Sequence, residues 1–465
     1  MSKSLQDWLD WQETLHPSEI DLGLQRVAQV LQRLLPECSL SPASVASISF
    51  KLPYTIITVA GTNGKGSTVA MLEAILTESG YKVGSYTSPH LLRYNERIKI
   101  KQNPVNDSQL CQSFERIDQA RESLSLTYFE FGTLAAIDIF YQQSCDIVIL
   151  EVGLGGRLDA VNIVDADVAL VTTVDIDHQD WLGSDRDSIG IEKAGIYRHD
   201  KPAIYGDSDC PDSIKTIVAT QQLNFYQYGE DYYYEEKNNQ WNWLSNDKDG
   251  VFQTRYNLPL PNLMGNIQLK NATNVLIALE LVKSNFPVSQ AEIKRGLQSV
   301  QLAGRFQIYS TEPTIILDVA HNVQATQALK KSLEQLTQKS GKLHVIVGML
   351  KDKEVSDVLA VLAPLVASWR LIDLDSPRAM PAKEMHDLLC NDILAKSKSD
   401  SDEQDRVKID CFSNFTTAYQ DFMTNKLMFN SIDKLLIFGS FFTVTDALKV
   451  LDLNGIIKQG NTENL

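Results

Sequence analysis

The stretch Thr55-Ile-Ile-Thr-Val-Ala-Gly-Thr-Asn-Gly-Lys-Gly-Ser-Thr68 decides how the first half of this chain folds. Residues 55–60 are apolar and rich in β-branched side chains, and helical spacing begins at Thr68. A strand, a glycine loop and a helix in this order point backbone N–H groups into one concavity, where the helix dipole favours phosphate. Lys65 can reach the outer phosphates, and the Ser67 hydroxyl is placed to hold Mg²⁺. The stretch therefore predicts a nucleotide-phosphate site.

The glycine spacing of this loop differs from the common pattern G-x-x-x-x-G-K-[ST]. Only two residues separate Gly61 from Gly64, and Gly66 follows Lys65 directly. An ordinary glycine-rich turn is the alternative interpretation. The strand and the helix on either side favour phosphate binding, because they stand where a dipole-based site needs them.

Composition excludes several classes of protein. At 465 residues the chain predicts two to three domains. A net charge of −16 argues against broad binding of nucleic acid or anionic membrane. The six cysteines are far apart and form no C-x-x-C pair, so they predict neither a zinc site nor a disulfide framework. With no signal-peptide core and no apolar run near the ~20 residues of a membrane span, we expect a cytoplasmic protein, and a monomer.

Strand and helix patterns alternate along the chain and predict an α/β fold. Four strands separated by helices predict a doubly wound, mostly parallel sheet of P-loop type: 55–60, 82–88, 146–152 and 167–174. Residues 226–261, rich in Tyr, Asn and Trp, predict a short β-excursion, and 396–405 a solvated loop. A second alternation begins at residue 314. We therefore predict an ATP-binding domain over 1–302 and a smaller Rossmann-like α/β domain over 303–465.

Two polar segments follow later strands of the predicted sheet. Glu151 begins the segment Glu151-Val-Gly-Leu-Gly-Gly-Arg-Leu-Asp159, where a carboxylate suits Mg²⁺ and the glycines allow close approach to a substrate. A glycine-rich turn with a solvated glutamate is the alternative. His178 closes Asp175-Ile-Asp-His178 and is weak alone, because imidazole is not the commonest Mg²⁺ ligand. Its value is that it shares a predicted sheet edge with Ser88 and Glu151.

Three further segments have more than one interpretation. Lys193, in Glu192-Lys-Ala-Gly-Ile196, could bind phosphate or be a surface charge. Asp318 ends a strand of the second domain, where an acidic residue can hydrogen-bond ribose hydroxyls, and Arg305 could contact phosphate. If both engage one nucleotide, we expect an interdomain cleft that closes over ATP. For the turn Gly439-Ser-Phe-Phe-Thr-Val444 the functional and structural interpretations stay open.

Eight stretches, in this order along the chain, resemble the folylpolyglutamate synthase family of the Mur ligase superfamily, and within it the bacterial bifunctional members that also make dihydrofolate. They are Ala60-Gly-Thr-Asn-Gly-Lys-Gly-Ser67, Ser88-Pro-His-Leu91, Glu151-Val-Gly-Leu-Gly-Gly-Arg-Leu-Asp159, Asp177-His178, Glu192-Lys-Ala-Gly-Ile196, Gly304-Arg-Phe306, Asp318-Val-Ala-His-Asn322 and Gly439-Ser-Phe-Phe442. One such motif is weak, whereas eight in order are specific.

The resemblance implies an ATP-dependent amide ligase, with residues 1–302 as the ATP-binding central domain and residues 303–465 as the C-terminal ligase domain. ATP would phosphorylate a substrate carboxylate, and the amino group of L-glutamate would attack the acyl phosphate; such chemistry depends on positioning and charge neutralisation. The implied ATP-binding residues are Gly64, Lys65, Gly66, Ser67, Asn271, Arg305, Asp318 and His321. The implied ligands of two Mg²⁺ ions are Ser67 on one, and Ser88, Glu151 and His178 on the other. The implied catalytic residues are Lys65, His178 and Lys193, the last as a carbamylated lysine.

The resemblance also implies a dihydropteroate pocket, which would let the enzyme add the first glutamate before it extends reduced folates. The implied pocket residues are Asp21, Leu22, Gly23, Leu24, Thr127, Tyr128, Phe129, Glu130 and Asp159. Phe129 could stack on a pterin and Asp159 could accept hydrogen bonds from it. Taken alone, Phe129 is better explained as a core residue.

Two other functions are consistent with the same motifs. Another amino-acid-adding ligase of the superfamily, such as a cell-wall precursor enzyme, would use a UDP-linked acid and no pterin. A P-loop ATPase switch would turn over ATP without glutamate. The cluster of polar strand ends and the second nucleotide-facing domain favour a ligase over the switch protein.

Overall fold

The computed structural model describes residues 3–40, 49–246, 252–337, 341–394, 407–425 and 432–453. The predicted loop 396–405 lies outside these ranges. The chain divides into two compact units, the first formed by Met1–Asn262 with Gln268–Gln301 and the second by Leu263–Ile267 with Leu302–Leu465. The assignment of ATP-binding and ligase roles to domains 1–302 and 303–465 stays a prediction. Within the described residues, no helix is both long and apolar enough to cross a membrane.

An eight-stranded sheet forms the centre of the first unit, in the order β10-β9-β8-β3-β7-β4-β5-β6. Pairing is parallel from β10 to β4 and antiparallel for β5 and β6 at the edge. The predicted doubly wound sheet is thus confirmed. The described strands of this unit are β1 (Ser39–Leu40), β2 (Phe50–Lys51), β3 (Thr55–Ala60), β4 (Val83–Tyr86), β5 (Ile98–Ile100), β6 (Asn103–Pro104), β7 (Ile147–Glu151), β8 (Val168–Val171), β9 (Pro202–Tyr205), β10 (Asn224–Gln227), β11 (Tyr232–Lys237), β12 (Gln240–Ser245) and β13 (Arg255–Pro259).

Helices cover this sheet, and capping side chains mark the starts of several of them. Thr127 caps α5 by accepting a hydrogen bond from the Glu130 N–H, while the Glu130 carboxylate accepts one from the Thr127 N–H. The described helices of the unit are α1 (Leu5–Leu15), α2 (Gln25–Leu34), α3 (Lys65–Glu78), α4 (Asp107–Arg121), α5 (Tyr128–Gln142), α6 (Gln179–Leu182), α7 (Arg186–Ala194), α8 (Asp212–Gln221), α9 (Ile267–Val282) and α10 (Gln290–Ser299), with 3₁₀ turns at Tyr94–Arg97 and Ala160–Ile163.

The predicted β-excursion is a three-stranded antiparallel sheet, β11-β12-β13. Its inner face is aromatic, and Trp241, Trp243 and Tyr232 are all fully buried. Trp243 Nε1 donates a hydrogen bond to Thr273 O on α9 (3.1 Å), and the Tyr232 hydroxyl pairs with Asn274 Oδ1 on the same helix (2.9 Å). The small sheet therefore holds α9 in place.

The second unit has a six-stranded sheet in the order β14-β15-β19-β16-β17-β18, parallel except for β14. Its described strands are β14 (Gln307–Thr311), β15 (Thr314–Leu317), β16 (Leu343–Val347), β17 (Val366–Ile372), β18 (Lys408–Phe412) and β19 (Lys434–Phe438). Its described helices are α11 (Val323–Thr337), α12 (Val355–Leu362), α13 (Ala382–Asp387), α14 (Phe415–Thr424) and α15 (Phe441–Leu453), with a 3₁₀ turn at Ala363–Leu365 and a π-helical turn at Leu388–Ile393. This is the predicted smaller α/β domain.

Two details differ from the sequence predictions. The second alternation begins with β14 and not at residue 314, because residues 307–311 fold back as an antiparallel partner of β15. The sequence pattern predicts a final helix from about Thr443, whereas the glycine-hydroxyl turn at residue 439 leads directly into α15, which begins at Phe441.

Candidate active site

The phosphate loop joins the carboxyl end of β3 to the first turn of α3, as the sequence predicts. Gly61 and Gly64 adopt φ values of 141° and 90°, which a side chain would strain. A Cβ at Gly61 would also lie 1.9 Å from Thr172 Oγ1. Gly66 and the buried Ser67 follow within the first turn of α3. The loop and the helix N-terminus thus form the arrangement that favours phosphate.

Two threonines that the sequence analysis missed support this loop. Thr172 Oγ1 donates to Asn63 O at 2.6 Å, and Thr173 Oγ1 accepts from the Asn63 N–H at 3.0 Å. Thr62 N–H donates to Thr173 O at 2.9 Å. Their one sequence signal is that both directly follow β8, which lies beside β3 in the sheet.

Lys65 is folded back onto its own loop. Its ammonium donates to Gly61 O at 2.7 Å and to Thr62 O at 3.3 Å. A phosphate bound at the loop would compete with these carbonyl oxygens for the ammonium group, because an anion is the stronger acceptor.

Ser88 and Glu151 meet at the same sheet edge, as predicted. They follow or end the neighbouring strands β4 and β7, and the Ser88 N–H donates to Glu151 Oε2 at 3.3 Å. Glu151 is level with Val59 in the register between β3 and β7, so its carboxylate lies close to the start of the phosphate loop. Only 5% of Glu151 is exposed.

His178 lies farther from its strand than predicted. The strand ends at Val171 and not at residue 174, because Thr172 and Thr173 turn to bond the phosphate loop. His178 instead precedes α6 in a left-handed conformation with φ 51°, and its Nε2 lies 3.9 Å from Asp177 Oδ2. The predicted metal and catalytic roles of His178 stay predictions.

The segment from Glu151 to Asp159 connects the parts of the site. A Cβ at Gly153 would lie 2.5 Å from Phe129 Cζ, and one at Gly156 would lie 3.1 Å from Lys193 O. The Asp159 carboxylate accepts hydrogen bonds from the Leu154 and Val161 N–H groups, at 2.8 and 2.9 Å. Glycines thus let one short segment touch both α5 and α7.

Two buried titratable groups lie in this region. Burial, and then the nearby Lys65 ammonium, lower the pKa of Lys193 to about 7. Burial raises the pKa of Asp159 to about 6, against the opposing effect of its backbone hydrogen bonds. Lys193 is only 4% exposed, so the interpretation as a surface charge is wrong.

The donors at the sheet edge fit a metal that arrives with phosphate. No group of three or more His, Cys, Asp or Glu side chains suited to a metal is present in the described part of the chain. Mg²⁺ usually takes one or two carboxylates together with substrate phosphates and water, and does not need an all-protein cage. The Glu151 carboxylate, with the Ser67 and Ser88 hydroxyls, supplies a donor set of that kind.

Phe129, at the start of α5, lies beside another aromatic ring. The Phe129 ring lies 6.0 Å from that of Tyr86, and the Arg97 guanidinium lies 5.4 Å from the centre of the Tyr128 ring. Phe129 packs against the core but is only partly buried. The core therefore does not fully enclose the Phe129 side chain.

The other predicted pocket residues have structural contacts of their own. Asp21, Leu22, Gly23 and Leu24 connect α1 to α2, and Leu24 is buried. The carboxylates of Asp21 and Glu130 both accept hydrogen bonds from Arg26. Their predicted contacts with dihydropteroate stay predictions.

Asn271 is the asparagine of α9 that adjoins the phosphate loop. Its Oδ1 would lie 2.7 Å from a Cβ at Gly64. Asn274, one turn later, instead bonds Gly206 O and Tyr232. This geometry favours Asn271 as the nucleotide contact.

The second unit brings its three motifs together. Arg305 lies over the ring of Phe441, 5.1 Å from its centre, and His321 lies 6.5 Å from the same ring. The Asp318 carboxylate accepts from the N–H groups of Phe306 and Ala320, at 2.8 and 2.7 Å. Burial raises the pKa of Asp318, and the Arg305 guanidinium opposes that rise.

Comparison with known proteins agrees with this architecture. The family described as "Mur ligase middle domain" matches residues 59–282, and the family described as "Mur ligase, glutamate ligase domain" matches residues 304–441. Fold and site thus define the chain as an ATP-dependent ligase of the Mur class.

Comparison with individual relatives shows which family within the Mur ligase class this chain belongs to. The chain is 41% identical to the dihydrofolate synthase/folylpolyglutamate synthase of Escherichia coli, over 96% of each sequence. It is similar to the solved structure of E. coli FolC in complex with DHPP and ADP, with a TM-score of 0.85 and 40% identity over 98% of this chain and 99% of that one. A bifunctional folylpolyglutamate synthase/dihydrofolate synthase with Mn, AMPPNP and L-glutamate bound gives a TM-score of 0.82 at 40% identity, over 97% and 98%. This chain belongs to the dihydrofolate synthase/folylpolyglutamate synthase family.

Proposed function

We propose that this protein is an ATP-dependent ligase that joins L-glutamate to dihydropteroate, giving dihydrofolate, and then adds further glutamates to reduced folates. The observation that carries the proposal is the segment 151–159. It links the carboxylate beside the phosphate loop to the aromatic surface at Phe129 and to the buried Lys193. One short stretch thus connects a nucleotide end, an acceptor end and a buried basic group.

The reaction needs two displacements. An acceptor carboxylate oxygen attacks the γ-phosphorus of ATP, ADP leaves, and an acyl phosphate forms. The glutamate amine then attacks the acyl carbon, loses a proton, and phosphate leaves with the bonding electron pair. Both steps place negative charge near the loop, where the first turn of α3 and the ammonium of Lys65 neutralise it. The ammonium of Lys65 has three N–H donors and now bonds the Gly61 and Thr62 carbonyl oxygens, so a bound phosphate would share or replace these acceptors.

Ser67, Ser88, Glu151 and His178 would hold two Mg²⁺ ions. Two similar solved structures support the use of ATP, a divalent metal, glutamate and a pteroate acceptor. One is a complex with DHPP and ADP, and the other has Mn, AMPPNP and L-glutamate bound. When bound, such ions supply positive charge to the phosphate oxygens. The contribution of the chain is geometric, because Ser88 N–H orients the Glu151 carboxylate.

Lys193 is proposed to carry an N-carboxylate. Its neutral amine can attack CO₂, forming a carbamate and releasing one proton, and a pKa of about 7 leaves much of the amine neutral at physiological pH. A ¹³C signal from labelled bicarbonate that is present in the wild type and absent in Lys193→Ala would support the modification. Its absence from the wild type refutes it.

Nucleotide contacts are proposed in each unit. In the first, Asn271 adjoins Gly64, and Gly64, Lys65, Gly66 and Ser67 take the phosphates. In the second, Asp318 would accept hydrogen bonds from ribose hydroxyls while Arg305 and His321 contact phosphate. The acidic net charge supports a protein without nucleic-acid partners, and we propose a cytoplasmic monomer.

The first experiment measures ADP release by purified protein with Mg-ATP and L-glutamate, and adds dihydropteroate, tetrahydrofolate or a UDP-linked acid in separate reactions. A parallel set of reactions omits glutamate. Mass analysis then tests for one added glutamyl unit. We expect glutamylation of both acceptors. Product from tetrahydrofolate alone rejects the dihydropteroate pocket, product from a UDP-linked acid alone indicates a cell-wall ligase, and ATP turnover without glutamate indicates a switch protein.

A further inference from the structure

Arg26, in the first turn of α2, joins two segments that are far apart in sequence. Its Nη1 donates to Asp21 Oδ2 and its Nη2 to Asp21 O, both at 2.7 Å. Nη2 and Nε also donate to Glu130 Oε1, at 3.0 and 3.2 Å. One guanidinium therefore ties the connection between α1 and α2 to the start of α5.

The Glu130 carboxylate has two structural duties at once. It accepts the Thr127 N–H at 2.8 Å as part of the helix cap, and it accepts the forked bonds from Arg26. Its side chain is only 4% exposed, so an unpaired carboxylate there would be costly. Arg26 thereby fixes the first turn of α5, which carries Phe129.

His16 makes a second tie between the same two segments. Its Nε2 lies 3.1 Å from Asp21 Oδ2, and its Nδ1 lies 2.9 Å from Ser125 Oγ. The two ties close a polar ring made of His16, Asp21, Arg26, Glu130 and Ser125. This polar ring joins the two segments, 21–24 and 127–130, that the family resemblance implies for dihydropteroate binding.

We propose that Arg26 is a positioning residue for the pteroate acceptor. It acts by setting the separation of the two pocket segments, because Nε, Nη1 and Nη2 each donate to Asp21 or Glu130. This inference rests on the proposed function. Dihydropteroate has no glutamate tail, so its binding depends on its pterin and benzoate parts alone, whereas a reduced folate also offers tail carboxylates. Loss of Arg26 should therefore harm the first addition more than elongation.

The test compares Arg26→Ala, Arg26→Lys and the control Arg33→Ala in the full-length protein. Arg33 is on the same helix and bonds Ala120 O at 3.2 Å, away from the polar ring. We expect Arg26→Ala to raise KM for dihydropteroate about tenfold or more, with a smaller rise for tetrahydrofolate and an unchanged KM for ATP. Arg26→Lys should restore only part of the affinity for dihydropteroate. Its ammonium keeps the positive charge but cannot make the forked hydrogen bonds of the guanidinium. Arg33→Ala should match the wild type.

Several outcomes would overturn the inference. An unchanged KM for dihydropteroate in Arg26→Ala would do so, as would equal rises for both acceptors or a raised KM for ATP. If Arg26→Ala does not fold, Arg26→Lys decides alone, and wild-type KM values for it refute the role. Failure of the wild type to glutamylate dihydropteroate rejects the proposed function, a result distinct from any of these.

Discussion

Replacement of the buried Lys193 by methionine should stabilise the protein while it abolishes ligation. Methionine has a similar length and no charge, so it removes the cost of the ammonium without opening a large cavity. Burial and Lys65 lower the Lys193 pKa from 10.5 to about 7, and the carboxylates of Asp177, Asp159 and Glu192 only partly oppose this. In CO₂-free buffer, where the amine is unmodified, this shift costs the wild type about 4 kcal/mol of folding free energy at pH 7.

The sign of the pH dependence follows from the same shift. Between the folded pKa of about 7 and the unfolded value of 10.5, the unfolded chain binds more protons at Lys193 than the folded protein does. The stability of the wild type therefore rises with pH through this window. The advantage of Lys193→Met should shrink to about 2 kcal/mol at pH 9.

Urea unfolding of both proteins at pH 7, 8 and 9 measures this difference, and each titration gives a free energy of unfolding by linear extrapolation. Subtraction of the two curves removes the shared titrating groups that do not interact with Lys193, and leaves Lys193 together with the groups coupled to it. A difference that stays constant from pH 7 to 9, or a less stable Lys193→Met at pH 7, refutes the reasoning. ADP release with glutamate and acceptor should be lost in the variant, while ATP binding persists.

Two further substitutions test the nucleotide site. Gly64→Ala places a Cβ 2.7 Å from Asn271 Oδ1 at a φ of 90°, so KM for ATP should rise about tenfold. Gly80→Ala is the control, because Gly80 has a φ of 89° and no atom within 4 Å of the added Cβ. It introduces the same backbone strain without a steric clash, and KM for ATP should stay unchanged. Asp318→Asn replaces one acceptor oxygen with an amide donor, so the hydrogen bond from the N–H of either Phe306 or Ala320 is lost. We expect the free energy of unfolding in urea to fall by about 2 kcal/mol and ATP to bind more weakly. Wild-type values for both would contradict the assigned contacts.

The polar residues at the sheet edge could be predicted from the sequence, because each of them lies next to its own strand along the chain. Each strand and its polar end are contiguous, and parallel strands carry their carboxyl ends to one edge, so Gly61, Ser88 and Glu151 could be placed together. The prediction for His178 was less accurate, because β8 ends at Val171 and the residues after it bond the phosphate loop.

Contacts between residues that are far apart in the chain could not be predicted from the sequence. Arg26 and Glu130 are 104 positions apart, and neither has a signal of pairing in its own segment. The hydrogen bonds of Thr172 to the phosphate loop depend on the order of β8 and β3 in the sheet, which strand patterns alone do not give. The same holds for Asn271, whose place beside Gly64 comes from the packing of α9.

The small aromatic sheet gives the protein an internal spectroscopic reporter. Trp243 is fully buried, and its indole N–H bonds the carbonyl of Thr273, two residues beyond Asn271 on α9. Indole emission responds to a change in this hydrogen bond or in the surrounding dipoles. A protein that retains Trp243 as its single tryptophan would therefore report movement of α9 as a change in fluorescence, with no added label near the nucleotide.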